Sequence, residues 1–340
     1  MSYKKIIITK FGLPEVLQTI EEEHLPEPEN GEVRIKVLVT SASFTDTLLR
    51  RGIYPDVRKK PPFPPGYDMV GIIDKPGENA NNFKAGQKVA ALTVFGAYSE
   101  YICLPEDELI LVPNSLDSSE VVSLILSYMT AYQMLYRTAK IKPGQTILVH
   151  GAGGAVGSAL IQLGRLINLK MYGTAKKSKH NLVKSLGVIP IDYESEDFVE
   201  YIKGREVKGI DVVFDGIGGS YFKRSFSLLK SGGILVAYGF QKAAMGGGKI
   251  IDFVSSFINL KLMNMFSFKK TATFYAITTV KKKHPGWFKD DFKKLLELLQ
   301  EKKIEPVISG KMPLTDAVKA HKILDQSAVE GKIILIVNKE

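Results

Sequence analysis

The sequence predicts an α/β protein of two lobes, a doubly wound parallel sheet beside a smaller all-β body. Three observations carry that reading. Residues 146–150 form a short apolar run rich in β-branched side chains, which marks a buried parallel strand. A glycine-dense turn follows, Gly151-Ala152-Gly153-Gly154-Ala155-Val156-Gly157, and then Ala159, Leu160, Leu163, Leu166 and Ile167 recur at helical spacing. Strand-like and helix-like segments alternate from 146 to 239, whereas strands dominate the first third.

In chain order, strands are expected at 5–9, 32–41, 69–75 and 88–94, separated by turns such as Glu29-Asn30-Gly31 and Pro76-Gly77-Glu78-Asn79. Residues 116–139 read as a long apolar, largely helical connection closed by Pro143-Gly144. Parallel strands are expected at 146–150, 170–174, 188–192, 210–215 and 233–239. The last two run into Gly216 and Gly239 at the carboxyl edge, where ligands lie in such sheets and a glycine lets the backbone approach a flat ring. Helices at 290–301 and 314–325 then precede a strand at 332–337 that rejoins the β lobe.

The glycine turn points to a dinucleotide. Strand, turn and helix make the front half of a βαβ unit, whose helix start offers free N–H groups and a positive dipole end to a pyrophosphate. Aligned on its last glycine, the G-x-G-x-x-G pattern reads Ala152, Gly154 and Gly157, one position departing. An acid that binds ribose is expected about twenty residues into the unit. The chain there reads Gly173-Thr174-Ala175-Lys176-Lys177-Ser178-Lys179, with cations and hydroxyls in place of a carboxylate. That chemistry suits a 2′-phosphate, so NADPH is favoured over NADH.

Composition narrows the class. Hydrophobic residues are 45% and charged residues 24% of 340, ordinary for a globular enzyme. The single cysteine, Cys103, excludes an intrachain disulfide and a multi-cysteine zinc site. The first apolar run is too short for a signal peptide and no stretch approaches a membrane span, so a cytoplasmic address is expected. The net charge of +10 is spread along the chain in lysines that flank helices, so no nucleic-acid partner is expected, though the charge attracts a polyanionic cofactor.

Several short stretches, in order, resemble the medium-chain dehydrogenase/reductase superfamily, in particular its zinc-independent quinone oxidoreductase branch. They are Ser43-Phe44-Thr45-Asp46, Gly52-Ile53-Tyr54-Pro55, Pro65-Gly66-Tyr67-Asp68-Met69-Val70-Gly71 and Lys84-Ala85-Gly86-Gln87-Lys88-Val89. Thr130-Ala131-Tyr132, the glycine turn, Ile191-Asp192-Tyr193 and Ala320-His321 continue the series. The resemblance implies a GroES-like β-barrel lobe over 1–124, a Rossmann doubly wound sheet over 125–267 and a return to the first lobe over 268–340. It also implies a homodimer and an active site in the cleft between lobes.

Zinc members of that superfamily bind catalytic metal through a cysteine and a histidine at places that here carry Ser43 and Tyr67, so no metal is expected. Zinc stabilises an alkoxide. The remaining chemistry is hydride donation from NADPH to a small hydrophobic acceptor, a quinone or an enone, which needs mainly positioning and a modest oxyanion partner. By resemblance, Tyr54, Ser43 and Thr130 lie at the acceptor; Gly154, Ala155, Val156 and Gly157 contact the pyrophosphate. Lys179 and Tyr193 hold the 2′-phosphate and adenosine side with Thr174 and Ser178, and Gly239 and Phe240 border the nicotinamide.

Asp46, Asp68, His150 and His321 are read as structural and Cys103 as a buried small residue. The Phe- and Met-rich stretch (Phe253, Phe257, Met263, Met265, Phe266, Phe268) is either core with a dimer edge or an apolar lid over the acceptor. Two alternatives accompany the enzyme. One is a non-catalytic NADPH-binding protein with a regulatory or RNA-associated role. The other is a membrane-peripheral protein.

Overall fold

A computed structural model describes the chain except residues 56, 246–249, 266, 268, 339 and 340 and the side chains of 243, 245 and 250–254. The chain divides into two units, residues 1–126 with 292–340, and residues 127–291.

The first unit opens with β1 (Tyr3–Ile8), β2 (Leu17–Glu22), β3 (Glu32–Ala42) and helix α1 (Phe44–Arg50). It continues with β4 (Asp68–Pro76), β5 (Lys88–Leu92), β6 (Tyr101–Pro105), β7 (Ile110–Leu111) and α2 (Ser118–Ser123). Along β3, Val33, Ile35 and Val37 alternate inward and are wholly buried against Met69, Ile73 and Val89. Period-two burial of β-branched residues fixes this register, since a one-residue slip would turn that apolar row to solvent.

The link to the second unit is helical, as expected, but wound unevenly. Leu124–Tyr128 and Gln133–Thr138 are π-helical, on either side of α3 (Met129–Tyr132). Such turns are uncommon and frequently mark functional positions.

The second unit alternates β8 (Thr146–His150), α4 (Ala155–Arg165), β9 (Lys170–Ala175), α5 (His180–Ser185), β10 (Ile189–Asp192), α6 (Phe198–Lys203) and β11 (Ile210–Asp215). It goes on through α7 (Ser220–Ser227), β12 (Leu229–Ala237), α8 (Gln241–Met245), α9 (Ile250–Met265), β13 (Thr271–Phe274) and α10 (Ile277–Lys283). The six strands pair in parallel in the order β10-β9-β8-β11-β12-β13. Chain order reverses between β8 and β11, the place where such sheets hold a dinucleotide.

Helix α11 (Pro285–Gln300) crosses into the first unit, which β14 (Ile308–Pro313), α12 (Ala317–Asp325) and β15 (Lys332–Ile336) complete. β15 pairs antiparallel with β3, so the tail rejoins the N-terminal sheet as anticipated. The return lies later than the expected 268. β13 is the sixth strand of the parallel sheet, which keeps residues up to 291 with the nucleotide unit. Short β2, β6, β7, β13 and β14 were not anticipated, because two to six residues with mixed patterning give little periodic signal.

Candidate active site

β8 delivers the glycine turn to the carboxyl edge of the sheet at the switch in strand order. Gly151 has φ +69°, a left-handed conformation that favours glycine, and a Cβ there would face open space. Gly157 has no room for a Cβ, which would overlap the Gly151 carbonyl oxygen. Ala152 departs from the glycine pattern, yet it is wholly buried and fits because its methyl lies over Gly173 of β9, where an added Cβ would be 2.6 Å away. Helix α4 starts at Gly154 without a side-chain cap. The first-turn N–H groups of Ala155, Val156 and Gly157 therefore have no helix carbonyl to meet, a ready anion site.

The end of β9 supplies cations. The Lys179 side chain lies along Gly153, its δ-carbon 3.0 Å from where a Cβ would stand. Ser178 and Tyr193 are exposed, and Lys176 pairs with Glu194 at 3.3 Å. Two other expected contacts turn inward. Thr174 is 2% exposed, with its hydroxyl 3.0 Å from His150 Nδ1. Phe240 is buried in a ring cluster, stacked at 4.9 Å on Phe274 and edge-on at 5.1 Å to Phe257. A Cβ on Gly239 would lie 2.7 Å from the Gly216 carbonyl oxygen, so that glycine serves strand-end packing. Phe266, Phe268 and the Phe253 side chain lie outside the described residues.

In the first unit, Ser43 directs both its backbone N–H (2.9 Å) and its hydroxyl (2.5 Å) to Asp46 Oδ2, and its Oγ is 2.6 Å from Thr45 Oγ1. Asp46 is wholly buried and its Oδ1 accepts the Gly66 N–H at 3.1 Å. Burial pushes its carboxyl up to about 7, opposed by the Ser43 bond and reinforced by nearby Asp68. Asp68 receives Lys332 Nζ at 3.0 Å and the Ser41 hydroxyl at 2.5 Å. Both acids are engaged by hydrogen bonds or an ion pair within the first unit. Tyr54 is half-buried with its hydroxyl 2.5 Å from that of Tyr67, which is wholly buried, and the rings meet edge-on at 5.8 Å. Tyr67 as a partner of Tyr54 was not legible in the sequence, because the two are 13 residues apart on no common periodicity.

Thr130, in the second unit, is 6% exposed and its hydroxyl interacts with that of Tyr275. The Tyr275 hydroxyl donates to Gln133 Oε1 at 2.8 Å, and Gln133 Nε2 donates to Asp291 at 3.0 Å. His321 is buried between Tyr98 Oη (3.2 Å) and Arg50 (3.5 Å), and burial drives its pKa down to about 3. Cys103 is half-buried rather than buried, and desolvation raises its thiol to about 11. Among the described residues no group of three His, Cys, Asp or Glu side chains is placed to hold a metal ion.

A six-stranded parallel sheet with a phosphate-ready turn, joined to a mainly antiparallel unit closed by the chain's own tail, defines a two-unit nucleotide-binding oxidoreductase fold. Comparison with known proteins agrees. The family described as "Zinc-binding dehydrogenase" matches residues 186–335, and "Alcohol dehydrogenase GroES-like domain" matches residues 29–114. Human "Quinone oxidoreductase" is 30% identical over 342 residues, covering 98% of each chain. Human "Synaptic vesicle membrane protein VAT-1 homolog" is 31% identical over 326 residues, covering 93% of this chain and 81% of the relative. The crystal structure of Escherichia coli quinone oxidoreductase complexed with NADPH superposes with a TM-score of 0.87 at 27% identity, covering 98% of this chain and all of that one. The chain belongs to the medium-chain dehydrogenase/reductase superfamily.

Proposed function

We propose that this chain is an NADPH-dependent oxidoreductase that passes hydride to a quinone or a related α,β-unsaturated carbonyl without zinc. The observation that carries the reading is the uncapped start of α4 behind Gly151, with the Lys179 stem laid along Gly153. The relatives support it, one named a quinone oxidoreductase and one solved with NADPH. When bound, the cofactor supplies the hydride. The N–H groups of Ala155, Val156 and Gly157 hold its pyrophosphate, and Lys179, Ser178 and Tyr193 take the 2′-phosphate and adenosine side. Tyr54, oriented by the buried Tyr67, offers its hydroxyl to the acceptor oxygen as negative charge builds there. Ser43 and Thr130 are the other acceptor residues of this proposal, and water returns the proton.

Residue chemistry supports the zinc-free part of the proposal: Ser43 and Tyr67 offer neutral hydroxyls, each already bonded, at the places where the resemblance puts thiolate and imidazole ligands. Enzyme treated with chelator should keep its full rate, and stoichiometric zinc in the active protein would reject this part. The main test is NADPH oxidation with ortho-quinones, para-quinones and alkenals, alongside titration of NADPH binding. Binding without turnover on any acceptor would instead support the non-catalytic reading. Lys179→Ala should weaken NADPH about tenfold or more, the worth of one charge-assisted bond, and leave NADH nearly unchanged.

A homodimer in the cytoplasm completes the proposal, with sedimentation as its measure. Such a dimer does not extend the sheet through Ala272, whose N–H and C=O are both bonded to the Asn264 amide at 2.6 and 2.7 Å. A membrane-peripheral role is favoured by one further observation. Helix α9 exposes Phe257, Ile258, Leu262 and Met265 on one side, and several relatives are named synaptic vesicle membrane proteins. Among the described residues no helix is long and apolar enough to cross a membrane. Co-sedimentation with anionic liposomes at low and high salt decides this second reading.

A further inference from the structure

Beneath the glycine turn lies a buried polar chain that the proposed chemistry does not use. It starts at Asp215, at the end of β11, and finishes at Gly151, the first residue of the turn. Asp215 Oδ1 accepts the N–H groups of Ile217 (2.9 Å) and Gly218 (3.1 Å), and Oδ2 accepts the Ser225 hydroxyl at 2.9 Å. Ser225 Oγ is 3.0 Å from His150 Nε2, and His150 Nδ1 is 3.0 Å from Thr174 Oγ1. The Gly151 N–H reaches Thr174 Oγ1 at 3.4 Å, the longest link. His150, Thr174, Asp215 and Ser225 are all at least 98% buried.

The direction of every link follows from counting protons. Ser225 has one hydroxyl proton and gives it to the carboxylate, so its oxygen must accept from His150 Nε2–H. A neutral imidazole with its proton on Nε2 leaves Nδ1 as an acceptor, and Thr174 fills it with its own hydroxyl proton. The Thr174 oxygen is then the acceptor for Gly151 N–H. Burial holds the imidazole neutral by lowering its pKa, and Phe198 and Tyr221 cover it edge-on at 4.8 and 5.3 Å. The donation runs one way, from the glycine turn through Thr174, His150 and Ser225 to the Asp215 carboxylate, which the N–H groups of the loop after β11 meet from the other side.

We propose that His150 is a positioning residue. Through this relay it locks the glycine turn to the 216–219 loop, so the two backbone segments at the cofactor edge of the sheet are held in one arrangement before the dinucleotide arrives. Because the alternative is an unsatisfied buried group, the relay has a strong preference for its complete form. Gly218 and Gly219 have φ of +80° and +62°, so the loop rests in a left-handed conformation that the Asp215 bonds hold in place. This inference rests on the reading of the turn as a dinucleotide site.

The test is a double-variant cycle on NADPH affinity, measured well below the melting temperature. Thr174→Val keeps the shape and deletes the hydroxyl; Ser225→Ala cuts the far end and lies too deep to touch a ligand. Each should weaken NADPH about fivefold or more, and the double variant should be no weaker than the worse single one, because a relay broken once has little left to lose. Thr174→Ser, which restores the hydroxyl, should recover affinity to within about twofold, a rescue that shape alone does not explain. Folding is followed by melting temperature; should Thr174→Val fail to fold, Ser225→Ala and Thr174→Ser carry the comparison. Multiplicative losses in the double variant, or unchanged affinity in Ser225→Ala, would overturn the relay while leaving the cofactor assignment standing. Wild-type protein that binds no NADPH would overturn both.

Discussion

Two buried ionisable side chains in the first unit give opposite dependences on pH. Asp46 is raised to about 7 when folded, against an ordinary carboxyl near 4. Between those values the folded state holds more protons than the unfolded one, so this contribution is complete below about pH 4 and is lost as pH rises through 7. His321 is lowered to about 3 from the ordinary 6.5. Its contribution is complete above 6.5 and is lost as pH falls toward 3. The two slopes oppose each other between pH 4 and 6.5. Removing one exposes the other: Asp46→Asn, which cannot ionise, should gain melting temperature relative to wild type at pH 8 compared with pH 5. The ceiling on that change is about 3 kcal/mol, since roughly two pKa units at 1.36 kcal/mol each lie between pH 5 and the folded value. An Asp46→Asn offset that is equal at both pH values would show that Asp46 does not titrate in this range.

At the scale of elements, the strand-turn-helix of β8 and α4 shows how a motif with one substitution still forms. Ala152 stands where glycine is usual, and the compensation is on another strand, at Gly173. Gly157 has no such compensation. Gly157→Ala must move either the Gly151 carbonyl or the start of α4, so it should abolish measurable NADPH binding and lower the melting temperature. Gly173→Ala should have a milder effect of the same kind, because its new methyl meets the fixed Ala152 methyl at 2.6 Å, whereas that of Gly157→Ala meets the Gly151 carbonyl oxygen closer still. Calorimetry with NADPH separates the two. If Gly157→Ala binds NADPH as well as wild type, the close approach in this turn has no part in phosphate binding.

The molecule as a whole is threaded so that its first unit is made from both ends of the chain. Lys332 of β15 meets Asp68 of β4, and Asp325 of α12 meets Arg50 and Arg51 at 2.6 and 2.7 Å. Arg50 is wholly buried and its Nε has no hydrogen-bond partner among the described residues, so the guanidinium relies heavily on Asp325. Removing one member of such a pair leaves an uncompensated buried charge. Asp325→Ala should therefore cost on the order of 3 kcal/mol of stability, read by denaturant unfolding. A loss below about 1 kcal/mol would show that water reaches Arg50 and that the tail is held by strand pairing alone.

The sequence by itself determined the central sheet and the chemistry of its edge. Fully buried parallel strands read as unbroken apolar runs, and a glycine turn must be written in glycines, so both were visible in residue order. Local pattern also located the β lobe and its returning strand. Only the tertiary structure decided how the predicted side chains are packed: Thr174 and Phe240 turn inward, while Lys179 lies along the turn. It also decided that Tyr54 answers to Tyr67, that β13 belongs to the parallel sheet, and that His150 sits in a relay ending at Asp215. The physical reason is common to all of these. Periodicity records which face of an element is apolar, whereas a hydrogen bond between residues 24 or 75 positions apart exists only once the fold has brought them within 3 Å.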